Sequence, residues 1–139
     1  MLAAALPLLT GNAAEMGEDV QVTVTDVRSD DGKVLACLTA KPKTFPDCSK
    51  DPQALAVTVK ADESVSFTFR DVMPGTYAIS LLHDENGNGK ADKALMIPKE
   101  GFGFSRDAKV RMGPPKFAAA AFTVTNQPVH KQIRMRYLF

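Results

Sequence analysis

Tryptophan is absent from the 139 residues, and only two tyrosines, two histidines and two cysteines are present. Without indole rings, an aromatic platform for carbohydrate would have to be assembled from eight phenylalanines. Two histidines and two cysteines are few for a multi-ligand zinc centre. Charge of one sign is also lacking, since seventeen basic and sixteen acidic residues leave a formal +1. That balance argues against nucleic acid as a partner, which normally calls for a basic excess or stripe. No segment of helix length repeats its apolar residues with a period of 3.6. No apolar run is long enough to cross a bilayer, so no integral membrane segment is expected in the mature protein. What is there suits one folded domain: 45% of residues are hydrophobic and 24% charged, enough to bury a core and stay soluble.

The run Leu2-Ala3-Ala4-Ala5-Leu6-Pro7-Leu8-Leu9 is followed by small and polar residues from Thr10 to Glu15. An apolar stretch and a small-residue cleavage region are two of the three parts of a secretory signal; the positively charged start is missing. Residues 1–14 are accordingly read as a residual signal peptide, cleaved after Ala13 or Ala14, and residues 19–139 as a single domain. The competing reading is a short buried helix of the mature fold. Export suits the cysteines. Cys37 closes the apolar run Val34-Leu35-Ala36-Cys37-Leu38, and Cys48 lies in a proline-flanked loop just downstream. A local disulfide between them is expected in an oxidising compartment.

The body of the chain alternates with a period of two. Val20, Val22 and Val24 form one apolar face, Leu55, Val57 and Val59 another, then Val65, Phe67 and Phe69, and Tyr77, Ile79 and Leu81. Val129, Ile133, Met135, Tyr137 and Phe139 share a face opposite His130, Gln132, Arg134 and Arg136. Between these runs lie turn residues. Asp30-Asp31-Gly32-Lys33 reads as a hairpin turn, and Met73-Pro74-Gly75 as a turn whose glycine takes a positive φ. Pro114 to Phe122 is the one place where a short helical turn is expected. The pattern predicts an all-β, antiparallel sandwich of about seven strands. Asp84 to Pro115 breaks the rhythm. A loop that long inside a compact domain is usually functional or disordered, and its Ile97, Phe102, Phe104, Val110 and Met112 favour one ordered loop packed on the sandwich.

That loop opens with His83-Asp84-Glu85-Asn86-Gly87-Asn88-Gly89-Lys90-Ala91-Asp92. Asp84, Asn86 and Asn88 stand at the first, third and fifth positions of a calcium loop, with Gly89 at the sixth. Lys90 would contribute a backbone carbonyl, and Asp92 is at the ninth position. The twelfth position, which should be a bidentate Glu, is Leu95, so Glu100 or Glu85 would have to supply the missing oxygen. Two consecutive Asn-Gly pairs are equally the signature of a plain turn. Weak Ca²⁺ binding is the sharper expectation, and no other cofactor is expected.

Enzyme chemistry finds little purchase. There is no Walker sequence, G-x-S-x-G elbow or H-E-x-x-H motif, and His83 and His130 lie beside no serine motif. A lone histidine at a strand end is more often packed or solvated. Lys99, Arg106, Lys109 and Arg111 could meet an anion, although four solvated charges on a loop are the commoner outcome. The alternative to a non-enzymatic module is a small-ligand receptor or enzyme whose pocket, lined by His83, Glu100 and Arg106, lies under the Asp84–Pro115 loop.

Phe67-Thr68-Phe69-Arg70-Asp71-Val72-Met73-Pro74-Gly75-Thr76-Tyr77 resembles a hairpin of transthyretin-like and related Ig-like sandwiches. Taken in order, Gly75-Thr76-Tyr77-Ala78-Ile79, His83 through Asp92, Ile97-Pro98-Lys99-Glu100-Gly101-Phe102-Gly103-Phe104-Ser105 and Gly113-Pro114-Pro115 through Phe122 resemble the bacterial DUF2141 family. The resemblance implies an exported bacterial protein, periplasmic or secreted, with a sandwich fold and an envelope-associated partner as one option. It implies no activity. The disulfide rests on this sequence alone: unfolding without reductant should expose no titratable thiol, and reduction should expose two. Closing so short a loop should stabilise by about 2–3 kcal/mol, measured as the loss of stability on reduction.

Overall fold

Valines and phenylalanines at alternate positions place one apolar face on each strand, and two such faces can only be buried against each other. The computed structural model describes residues 17–87, 93–94, 97–98 and 100–138. Ten strands run in the order β1 (Glu18–Thr25), β2 (Lys33–Thr39), β3 (Leu55–Lys60), β4 (Val65–Val72), β5 (Gly75–Asp84), β6 (Lys93–Ala94), β7 (Ile97–Pro98), β8 (Gly101–Phe104), β9 (Phe122–Val124) and β10 (Val129–Arg134). One sheet has the order β10-β1-β4, and the other the order β3-β2-β5-β8 with β9 also on β5. Strands β6 and β7 pair with each other. The chain is an all-β sandwich with eight strands in its two sheets. Between the sheets lie Val20, Val22, Val24, Val34, Leu38, Phe67, Phe69, Ile79, Leu81 and Ile133, all buried. Among the described residues helix is confined to α1 (Phe117–Ala120), where a turn is expected, and two short 3₁₀ turns.

Two local expectations are corrected. Asp30–Lys33 is no hairpin turn, because β1 and β2 lie in different sheets; β3–β4 and β4–β5 also change sheet. Consecutive apolar faces meet across the core instead of lying side by side. The positive φ expected at Gly75 belongs to Asp71, at 57°. Asp71 accepts the Gly17 N–H at 2.7 Å. Gly75 instead leaves room for Tyr77: a Cβ there would stand 3.3 Å from the ring, whose hydroxyl donates to the Met73 carbonyl at 2.8 Å.

One pairing departs from the antiparallel rule. β10 runs parallel to β1, from Val20 opposite Val129 to Thr25 opposite Arg134. Parallel neighbours need a crossover connection, and here the whole intervening domain is that crossover. Beyond Arg134 the chain leaves β1. The Phe102 N–H donates to the Arg136 carbonyl at 3.0 Å, and the Arg136 N–H returns to Phe102 at 2.8 Å. This single pair stitches β10 to β8 and closes one side of the sandwich. The close approach explains two glycines. A Cβ on Gly101 would enter the Tyr137 ring, and one on Gly103 would stand 2.9 Å from the Ile133 side chain and the Arg134 carbonyl.

A third layer covers the outer face of the larger sheet. Phe45, Ala78, Phe102, Phe104, Ala108 and Ala120 are buried together there, with Val110 and Phe117 against them. Phe45 meets Phe104 and Phe117 edge-on, with ring centroids 5.8 and 5.9 Å apart. Cys37 and Cys48 are disulfide-bonded with Cα atoms 6.2 Å apart, tying the 41–52 loop onto this layer. The Ser80 hydroxyl donates to the Pro46 carbonyl at 3.0 Å. The buried Asp51 carboxylate accepts from the Thr39 hydroxyl at 2.6 Å and from the Gln53 N–H at 2.9 Å, with the Lys41 ammonium at 3.3 Å. These contacts hold its pKa below the ordinary aspartate value, the Thr39 bond most of all.

Strand β5 shows how the layers are joined. One of its edges carries β2; the other carries β9 along Gly75–Tyr77 and β8 along Ser80–His83. The gap falls at Ile79, whose N–H donates to the fully buried Ser105 hydroxyl at 2.9 Å. Ser105 in turn donates to the Ala120 carbonyl at 2.5 Å. Ser105→Ala leaves a buried donor and a buried acceptor unpaired, so it should cost about 1–3 kcal/mol, read from the denaturant midpoint at unchanged slope.

Candidate functional site

The residues singled out from the sequence collect at the end of β5 from which the Asp84–Pro115 segment departs. β5 and β8 pair with Ser80 opposite Phe104 and His83 opposite Gly101. Asp84 follows His83 and Glu100 precedes Gly101, so the two carboxylates stand just beyond the last pair of this ladder. Both carboxylates are buried, Asp84 at 1% exposure and Glu100 at 4%. Asn86 is exposed, and the turn at its flank is real: the Gly87 N–H donates to the Asp84 carbonyl at 3.3 Å, and Gly87 has φ 70°. Asn88, Lys90 and Asp92 lie outside the described residues, as do Leu95 and residues 1–14. Among the described residues, no three His, Cys, Asp or Glu side chains converge as a metal cluster.

His83, opposite Val34 across the ladder, faces the sandwich interior and is fully buried. Its Nε2 lies 2.8 Å from the Asp31 carbonyl, which can only accept, so Nε2 carries a proton. Nδ1 lies 2.7 Å from the Tyr137 hydroxyl. In the neutral ring Nδ1 accepts the Tyr137 proton, and the Tyr137 oxygen accepts the Arg28 backbone N–H at 3.0 Å. Burial pushes the Tyr137 pKa up. The Arg28 guanidinium stacks 4.3 Å from the Tyr137 ring centre and forks onto the Glu85 carboxylate, with 3.2 Å from Nε to Oε2. The Ser29 hydroxyl donates to the same Oε2 at 2.9 Å. Glu85 is thus bonded to Arg28 and Ser29.

These hydrogen bonds give His83 a packing role that joins the β1–β2 loop, β5 and the C-terminal segment. Arg28, Ser29 and Tyr137 were not singled out from the sequence. They carry no local motif, and their bonds to Glu85 and His83 span 54 to 57 positions.

Arg106 falls elsewhere. It follows β8, whereas Glu100 precedes it, so the two stand at opposite ends of a strand about 13 Å long. Its backbone has φ 58°, and its exposed guanidinium points to the Ala118 and Ala121 carbonyls at 3.5 Å. His83, Glu100 and Arg106 are not brought into one lining. A cleft of about 600 Å³ at the surface is bounded by residues including Asp19, Gln21, Arg70 and His130. Another, of about 240 Å³, lies against Leu38, Leu55, Met73 and Tyr77. Neither touches His83, Glu100 or Arg106. Among the described residues no helix is long and apolar enough to cross a membrane.

Residues 22–132, from within β1 to within β10, match DUF2141, a family described as an uncharacterized protein conserved in bacteria. The chain belongs to the DUF2141 family. Comparison with curated proteins and with solved structures found no match. The DUF2141 span contains Asp84, Glu100, Arg106 and both cysteines, and it stops short of Tyr137.

The Arg28–Glu85 pair gives a pH test. The guanidinium hydrogen bonds hold the Glu85 pKa below the ordinary glutamate value, against the opposing effect of burial. A depressed carboxylate stabilises fully above its unfolded pKa, about 4.3, and that stability is lost as pH falls through the lower folded value. Glu85→Gln should therefore be less stable than wild type by roughly 0.5–1 kcal/mol at pH 6–7, a range set by the pair's partial exposure. The gap should close below about pH 4, measured by urea unfolding across the pH range.

Proposed function

We propose that this DUF2141 chain is an exported, non-enzymatic β-sandwich module that takes up Ca²⁺ weakly at the Asp84–Asp92 segment. The observation that carries the reading is the burial of two carboxylates, Asp84 at the end of β5 and Glu100 just before β8, at the end where these two strands pair. Carboxylates are the hard oxygen donors that a divalent cation takes. Asp84, Asn86 and Asn88 would supply oxygens at alternate positions, Lys90 its carbonyl, and Asp92 a second loop carboxylate. Glu100 would stand in for the glutamate that Leu95 replaces. Calcium accepts such a mixed, flexible oxygen set at about 2.3–2.6 Å, whereas magnesium demands a tighter octahedron. The low ligand charge places affinity on the order of 10⁻⁴–10⁻³ M. Two features support export to the periplasm or beyond the cell. One is the apolar run at residues 2–9; the other is a disulfide, which persists in oxidising compartments.

Thermal unfolding in Ca²⁺ against EDTA tests the cation. At ten times Kd the gain is roughly 1.4 kcal/mol, which raises Tm by about 4–6 °C. Mg²⁺ should raise it less. Asp84→Asn and Glu100→Gln should each remove most of the shift. A wild-type Tm indifferent to Ca²⁺, or an equal shift in both variants, would reduce the segment to a turn.

A further inference from the structure

The near-neutral total hides a division along the chain. Residues 101–139 hold seven basic side chains and one acid, Asp107, whereas residues 1–100 hold ten bases and fifteen acids. The fold gathers the basic third on one flank. Asp107 receives Arg136 at 2.6 Å and Arg134 at 3.5 Å, which fixes the 105–107 turn against β10. One carboxylate thus faces two guanidiniums, and positive charge is left over. Arg106 lies on the same turn, its guanidinium beside Ala121. Lys131 sits 4.6 Å from the ring centre of Phe122, the next residue. The flank where β8, β9 and β10 meet therefore presents Arg106, Lys131, Arg134 and Arg136.

A projecting loop continues this flank. Val110 and Phe117 anchor residues 108–117 in the outer layer. Between those anchors Lys109, Arg111 and Lys116 are exposed, and Met112 stands entirely in solvent at 105% relative exposure. The Gly113-Pro114-Pro115 that follows limits the freedom of the tip. A flexible apolar side chain held out in water and bracketed by cations matches the two needs of a bilayer interface. Cations meet anionic headgroups, and an apolar tip reaches the acyl boundary. A soluble polyanion would use the charges and leave Met112 without a role.

We infer that this flank docks on an anionic lipid bilayer, with Met112 entering the headgroup layer. The residues involved are separate from Asp84 and Glu100, so the inference stands independently of the calcium reading.

The test uses the full chain with two kinds of vesicle, phosphatidylcholine alone and an equimolar mixture with phosphatidylglycerol. The protein should co-sediment with the mixed vesicles, bind the neutral ones far less, and be released by high salt. The apolar run at residues 2–9 is uncharged and common to all variants, so it cannot produce a difference between them. Lys109→Ala with Arg111→Ala should weaken binding roughly 30-fold, from about fivefold for each cation near the surface. Both side chains are exposed, and an unchanged far-UV spectrum checks the fold. Because the chain has no tryptophan, Met112→Trp installs a sole indole, whose emission should shift to the blue on mixed vesicles. Equal binding to both vesicles, no binding to either, or an unshifted indole would each overturn the inference. So would binding to soluble heparin or duplex DNA that matches vesicle binding and is indifferent to Met112→Ser, which would assign the flank to polyanions.

Discussion

A strand buried on both faces and along both edges must have all its side chains packed and all its backbone groups paired. From Ala78 to Asp84 β5 comes close to that demand. Its inner face, through Ile79, Leu81 and His83, meets the three-stranded sheet, and Ala78 on its outer face lies under the Phe45–Phe104 layer. One edge is covered by β2 from Ala78 to Asp84. The other is shared between β9 and β8, and the Ser105 hydroxyl fills the gap where neither reaches. The disulfide loop, the 105–121 segment and the β8–Arg136 stitch all act to complete the surroundings of this one strand. Where no such cover exists the consequence is visible: β3 has one neighbour, and Leu55 on it is 38% exposed.

Most of this architecture was legible because it rests on side-chain alternation, which is a local signal. Val20-Gln21-Val22-Thr23-Val24 and Val65-Ser66-Phe67-Thr68-Phe69 announce strands with one buried face, and the structure buries those faces. β8 was read as loop for a physical reason. Gly101-Phe102-Gly103-Phe104 does alternate, but the face that should show side chains has none, because Tyr137 and Ile133 already fill the space. A strand recognised only by the room it leaves for another cannot be found from its own residues. The partner of β1 was hidden in the same way, since nothing in Val20–Thr25 specifies a parallel neighbour more than 100 positions away.

The candidate site was legible in part. Asp84 and Glu100 stand out for their chemistry, and the β5–β8 pairing, which ends at His83 and Gly101, brings together the strand ends next to them for a different reason. His83 shows the opposite outcome. As a histidine beside acidic residues it had the composition of a functional group, yet its ring nitrogens are occupied by Asp31 and Tyr137. Its network also accounts for Glu85, which neighbours the calcium-like segment in sequence and belongs to a different set of contacts in space. Burial and bonding geometry separate these residues; residue type does not.

The parallel pairing of β1 with β10 has a consequence for how the chain comes to be folded. β1 is the middle strand of its sheet, flanked by β4 and by β10. A chain emerging from its N-terminus can form the β2–β3 and β2–β5 ladders early, but β1 stays half-paired until residues 129–134 arrive. The Phe102–Arg136 stitch comes later still. Contacts between such distant residues form slowly, because the loop entropy is lost before the contacts repay it. The complete sandwich is therefore inaccessible to a nascent chain. A polypeptide that cannot close its core while it is being made stays open until its last strand is released, and only then acquires its full stability.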